Sequence, residues 1–156
     1  MPDLMTHLLV PLTIGRLSLQ DRVRPALLCL GAVLPDLLSR VPAIALGKTQ
    51  AAWLFSAFHT PVGVFVFCLA AVFLFPREIR TFCLGWILTG VGVHFLLDLL
   101  QKTVLAGNYY WFFPFSFNRF QIELFWPDET IYAIPPLLAL ALLIEIFRYR
   151  RRKKQG

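Results

Sequence analysis

His94 and Asp98 stand four residues apart in the run GWILTGVGVHFLLDLLQ, residues 85–101. On a helix that spacing puts both on one face, one turn apart. An imidazole and a carboxylate stacked in this way can hold one metal ion between them. Gln101 continues the face and could orient a ligand or a water. The run itself is apolar and long enough to cross a bilayer. Gly85, Gly90 and Gly92 thin it, which lets neighbouring helices pack close. An ionisable pair inside such a run is costly and needs partners, so it marks a functional site by default. The plainer reading is a His–Asp hydrogen bond that pins a bundle.

The rest of the chain must supply the elements that bring partners to this pair. Of 156 residues, 58% are hydrophobic and 15% charged, and the mean hydropathy is +0.67. A soluble domain of this size cannot hide that much apolar area, so the class is a single integral membrane domain over residues 1–156. The formal charge of +6 is no sign of nucleic acid. Arg148, Arg150, Arg151, Arg152, Lys153 and Lys154 cluster directly after an apolar run, which is how a cytoplasmic anchor looks. Residues 147–156 are therefore expected to be a basic cytoplasmic tail. Cys29, Cys68 and Cys83 all sit in apolar segments and read as small core residues, not as a disulfide framework. The N-terminus lacks the basic start and small-residue cleavage site of a secretory signal, so Met1 is expected to stay on the chain.

Residues 4–15 are apolar, carry His7 and are interrupted by Pro11. About twelve residues make roughly 18 Å of helix, short of a core of about 30 Å, so a half-membrane helix is expected. Residues 25–46 form a span interrupted at Pro35-Asp36, with Arg40 one turn beyond Asp36. Residues 47–59 are a loop with Trp53, Phe55 and Phe58 as interface anchors. Residues 60–75, 82–100 and 132–147 are further spans. The stretch NYYWFFPFSFNRF in residues 101–130 is an aromatic belt at headgroup level, or a lip over a pocket. The fold expected is an all-α polytopic membrane bundle of about four transmembrane helices plus a short N-terminal half-membrane helix.

Cation bias orients this bundle. With alternating spans, Arg16, Arg22, Arg24, Arg77 and Arg80 fall on the same side as the basic tail. Lys48, Lys102 and Arg119 fall on the other, and Arg40 lies in a span. The positive-inside rule makes the first side cytoplasmic. His7, His59, His94, Asp36 and Asp98 then share the outer half of the membrane. Such a set suits zinc best, with manganese or iron as alternatives. Asp36 and Arg40 read either as a simple i,i+4 ion pair or as a site where the planar guanidinium fork binds an anionic substrate group.

THLL at residues 6–9, LGAVLPDL at 30–37, HT at 59–60, GVGVHFLLDLL at 90–100 and PFS at 114–116 occur in that order. The ordered set resembles the LexA-regulated, bacterial inner-membrane metal-dependent hydrolase family, distantly similar to zinc-dependent phospholipase C. The resemblance covers about residues 5–117. It implies metal-site roles for His7, Asp36, His59, His94 and Asp98. The family often has further Asp or His after the Pro-Asp pair, and a basic, His-containing lead into His-Thr. Here those positions read LLSR and WLFSAF, which implies one ion, or two at most. The function expected is a membrane-embedded hydrolase. It would cut a phosphoester or related bond in a membrane lipid or lipid-linked substrate, with Asp98 or Asp36 taking a proton and Arg40 steadying the phosphate. A non-catalytic, metal-stapled bundle and a small metal or ion transporter are the alternatives. Few spans and no inverted repeat speak against transport.

Overall fold

The computed structural model describes residues 4–18, 23–46, 55–102, 110–118 and 120–155. Among these the regular elements are helices, α1 (Leu4–Ser18), α2 (Val23–Ala45), α3 (Pro61–Ala71), α4 (Arg80–Leu100) and α5 (Thr130–Gln155), joined by short 3-10 turns and, between α4 and α5, by an irregular connection. Arg22, Lys48, Trp53 and Arg119 lie outside the described residues.

Three helical stretches are long and apolar enough to cross a membrane: Val23–Ala45, Arg77–Leu100 and Thr130–Arg151. Two shorter apolar helices accompany them, Leu4–Leu17 and Pro61–Leu74. Over residues 60–75, expected as a full span, the apolar helix is of this shorter kind. Thr60 caps α3, Pro61 opens it, and after 11 residues the chain tightens into a 3-10 turn, Val72–Leu74.

The prolines do not interrupt the helices that hold them. Pro11 lies inside α1, and Pro35 and Pro42 lie inside α2. Each proline removes a backbone donor, and hydroxyls nearby take up carbonyls on the same turns. Thr13 Oγ1 donates to the Leu9 carbonyl at 2.7 Å, and Ser39 Oγ donates to the Pro35 carbonyl at 2.8 Å. The basic tail is likewise no loose segment, since α5 runs on through Gln155. Lys and Arg are good helix formers, and cations are favoured at a helix C-terminus.

Close approach of α2 and α4 sets the architecture. A Cβ on Gly31 would overlap the Ile87 carbonyl oxygen, and one on Gly90 would overlap that of Leu28. The two backbones meet directly there. Gly85 and Gly92, expected to act similarly, have nothing within 4 Å of an added Cβ. α2 and α4 run in the same direction, because Arg24 lies over Phe82 and Trp86 at one end while Ala32 reaches His94 farther along. α3 fills the angle between them, and Leu27, Val64, Cys68, Cys83, Ile87, Val91 and Phe95 form the apolar core of the three. α1 runs the opposite way to α2, with Gly15 against Pro25. α5 joins the bundle at the end of α1, where Arg148 donates to the Arg16 carbonyl at 2.7 Å.

The far end of α4 is finished by the aromatic connection. Ile122 and Leu124 N–H donate to the Leu99 and Leu100 carbonyls at 2.9 and 2.8 Å, and Lys102 N–H donates to Phe125 at 2.8 Å. A helix C-terminus leaves such carbonyls without intrahelical donors. The connection therefore lies directly over the turn that carries Asp98. Trp111 packs edge-on against Phe95, with centroids 5.7 Å apart, and donates its indole hydrogen to Phe120.

Candidate metal centre

Four elements each bring a polar side chain to one buried point. α4 presents His94 and Asp98 on successive turns, with His94 Nε2 at 3.2 Å from Asp98 Oδ2. α1 brings His7, whose Nε2 lies 3.4 Å from Asp98 Oδ1 and whose ring lies 4.3 Å from that of His94. The 3-10 turn before α3 brings His59, whose Nε2 lies 2.8 Å from Asp98 Oδ2. α2 brings Asp36, with Oδ1 at 3.6 Å from His59 Nδ1. Thr60 holds His59 in place from the neighbouring position: its hydroxyl donates to the Ala57 carbonyl at 2.7 Å and accepts from Gly63 N–H at 3.1 Å. His94 and Asp98 are fully shielded at 0% exposure, and His7, Asp36 and His59 are buried as well.

The orientation of His94 defines the chemistry. Its Nδ1 lies 2.7 Å from the Ala32 carbonyl oxygen. A carbonyl oxygen only accepts, so Nδ1 carries the ring hydrogen. In the neutral ring Nε2 is then a lone pair. It faces Asp98 Oδ2 at 3.2 Å and His59 Nε2 at 3.5 Å. Acceptors gathered in a dry site repel one another unless a cation, a proton or a metal ion, lies among them. A histidine bound through one nitrogen and donating the other to a backbone carbonyl is the usual arrangement at metal sites.

The spacings fit a metal ion. Ligand atoms about 2.0–2.1 Å from a tetrahedral zinc stand roughly 3.3–3.4 Å apart. Two overlapping groups have one donor atom from each residue within 4.8 Å of all the others: His7, His94 and Asp98, and Asp36, His59 and His94. Asp36 Oδ2 and Asp98 Oδ1 are buried and take no hydrogen bond among the described residues. Carboxylate oxygens that face a cation would have no need of one.

All five residues singled out from the sequence, His7, Asp36, His59, His94 and Asp98, thus lie in one cluster. Arg40 stands at its margin, with Nε at 2.9 Å from Asp36 Oδ1 and its side chain 25% exposed. Gln101, expected to extend the His94–Asp98 face, is instead the extended residue that ends α4 and pairs with Phe125. Ser39 was not foreseen. Its hydroxyl lies 3.1 Å from His59 Nδ1, and its only sequence signal is a place three residues after Asp36, on the same face of α2.

A helical membrane bundle with a buried His/Asp cluster between its helices is the class that fold and site define. The family model described as YdjM inner membrane protein matches residues 1–155, and the chain belongs to that family. The match bears out the inner-membrane part of the resemblance and carries no likeness to hydrolases or to phospholipase C. No curated protein and no solved structure matches the chain.

Proposed function

We propose that the cluster holds one divalent cation, zinc by its donor set, and that the protein is a membrane-embedded hydrolase of a phosphoester or related bond in a membrane lipid or lipid-linked substrate. The observation that carries the reading is the His94 ring, held from behind by the Ala32 carbonyl with Nε2 facing His59 Nε2 and Asp98 Oδ2. His7, His59, His94 and Asp98 would hold the ion, with Asp36 at the edge of the set. A bound divalent cation would supply Lewis-acid polarisation of the phosphoryl oxygen and acidify a water at neutral pH. Asp36, whose Oδ1 lies 3.6 Å from His59 Nδ1, is the carboxylate suited to take the proton of that water. Arg40, the most exposed charged group of the set, is suited to hold the anionic headgroup in its planar fork.

Placement supports a lipid substrate. The cluster lies toward the end of the bundle away from Arg16, Arg24, Arg80 and Arg148, beneath a connection that exposes Phe112, Phe115, Phe117 and Phe120. Aromatic side chains of this kind settle at headgroup level. With the basic end cytoplasmic, the cluster faces the outer leaflet of the inner membrane.

One observation favours a second reading. Complete shielding of His94 and Asp98 is what a closed, structural metal site requires, whereas a catalytic one keeps a position open. The two separate in a screen of extracted membrane lipids with purified protein, with and without chelator. Chelator-sensitive release of a headgroup or phosphate supports the hydrolase. Bound metal with no product across the phospholipid and lipid-carrier classes leaves the metal-stapled bundle.

A further inference from the structure

At the basic end of the bundle, away from the His/Asp cluster, one buried cationic donor is left short of an acceptor. We propose that Arg16 and Arg148 form a phosphate-binding site in the seam between α1 and α5, and that its occupant is the headgroup of an anionic phospholipid in the leaflet at that end.

α5 packs against α1, and the two arginines meet at the end of α1. Arg148 Nη1 donates to the Arg16 carbonyl at 2.7 Å, one of the carbonyls that a helix C-terminus leaves without an intrahelical donor. The Arg16 side chain is less well served. Its Nη1 is buried and has no hydrogen-bond partner among the described residues. The carboxylate it faces is Glu145, whose Oε2 lies 3.8 Å from Arg16 Nε, beyond hydrogen-bond reach. Glu145 is also 49% exposed, and a pair so open to water contributes little. A guanidinium keeps its charge at any physiological pH and carries five donors in a planar fork. Taking part of it out of water without an acceptor costs free energy. The Arg16 side chain is 23% exposed, so an anion can reach it, and phosphate matches the fork.

The surroundings make that phosphate part of a lipid. Ile14 and Leu17 on α1 and Ile146 and Phe147 on α5, all within a turn of the two arginines, are exposed and apolar. Such side chains accept acyl chains and offer a soluble anion nothing. Beyond them α5 continues as a helix into its run of cations, whose field gathers anionic lipid at the membrane surface. Basic side chains set between membrane helices at headgroup level are a recurring site for anionic headgroups. A phosphate held by both arginines bridges α1 to α5, so its binding stabilises the packed bundle.

Native mass spectrometry and thermal unfolding of the full-length protein in a neutral detergent test this. The probes are phosphatidylglycerol, phosphatidylcholine with the same acyl chains, and inorganic phosphate. Wild type is expected to retain one phosphatidylglycerol in preference to phosphatidylcholine, and to unfold at a higher temperature with it. Arg16→Gln should weaken that binding about tenfold, as the loss of a charged hydrogen bond does. Arg150→Gln, on the basic extension, should change it clearly less. Glu145→Gln should strengthen it by removing the competing carboxylate, whereas an ion pair that only joins the helices would lose stability and leave lipid affinity unchanged. Arg16→Lys keeps the charge and loses the fork, so it should bind more weakly than wild type, and it serves where Arg16→Gln does not fold. No preference for phosphatidylglycerol in wild type overturns the inference. So does equal loss in Arg16→Gln and Arg150→Gln, which would make the attraction a general one of the basic extension. Stabilisation by inorganic phosphate as large as that by the lipid would assign the site to a soluble anion.

Discussion

Gly31 and Gly90 face each other across the α2–α4 crossing, with the Gly31 Cα 3.0 Å from where a Cβ on Gly90 would stand. His94 lies one turn after Gly90, and Ala32 follows Gly31. The backbone contact is therefore what carries the Ala32 carbonyl to within 2.7 Å of His94 Nδ1. A site that needs two glycines to close is open to disruption by single methyl groups.

Gly90→Ala and Gly31→Ala should each destabilise the bundle by about 1–3 kcal/mol, because the added carbon meets backbone that cannot rotate away. Gly85→Ala and Gly92→Ala, which place a methyl in open space, should be neutral or stabilising by up to about 1 kcal/mol. Thermal unfolding of the four variants in one detergent checks the contrast. The Gly90 variant should also lose metal, since the Ala32 contact moves with the crossing.

Metal content of purified protein should approach one equivalent and fall sharply in His94→Ala. Occupancy should also fall as the pH is lowered, because imidazole and carboxylate ligands must give up protons to bind. Elemental analysis after dialysis at several pH values measures both. Two equivalents in wild type would contradict a single ion, and full occupancy in His94→Ala would place the metal elsewhere. His94→Ala should lower stability as well, by taking one of its three histidine partners from buried Asp98.

Asp98→Asn keeps shape and removes charge. It should abolish chelator-sensitive turnover, because Asp98 meets all three histidines. Arg40→Lys keeps charge and loses the planar fork, so it should raise KM for an anionic lipid while bound zinc stays near wild type. Steady-state kinetics beside metal analysis separates the two effects. Equal loss of zinc in both variants would make Arg40 a part of the scaffold.

Orientation can be read by cysteine labelling in intact cells. The native Cys29, Cys68 and Cys83 are buried, so wild type should give little background. Phe115 is 87% exposed in the aromatic connection, and Phe115→Cys should react with an impermeant reagent from outside. Lys153→Cys, on the basic extension of α5, should react only after permeabilisation. The reverse pattern would put the cluster on the cytoplasmic side.

Composition and pattern alone determined the class of this protein. Apolar runs broken by cation-rich turns allow little besides membrane helices, and the spacing of His94 and Asp98 sets them on one helix face whatever surrounds them. Those features are local, so they can be read one segment at a time. The remainder depended on contacts between segments. Pro11, Pro35 and Pro42 look like breaks in one dimension, yet the helices run through them, with the Thr13 and Ser39 hydroxyls on carbonyls of the same turns. The α3 segment reads as one uniform run by hydropathy, yet it is an 11-residue helix capped by Thr60 that gives way to a 3-10 turn. Which glycines matter was invisible, because Gly85, Gly90 and Gly92 differ only in what lies opposite. The same holds for Ser39 and for the Ala32 carbonyl. Neither is a residue type that announces a metal site, and each gains its part only because a packed bundle sets it behind a histidine ring.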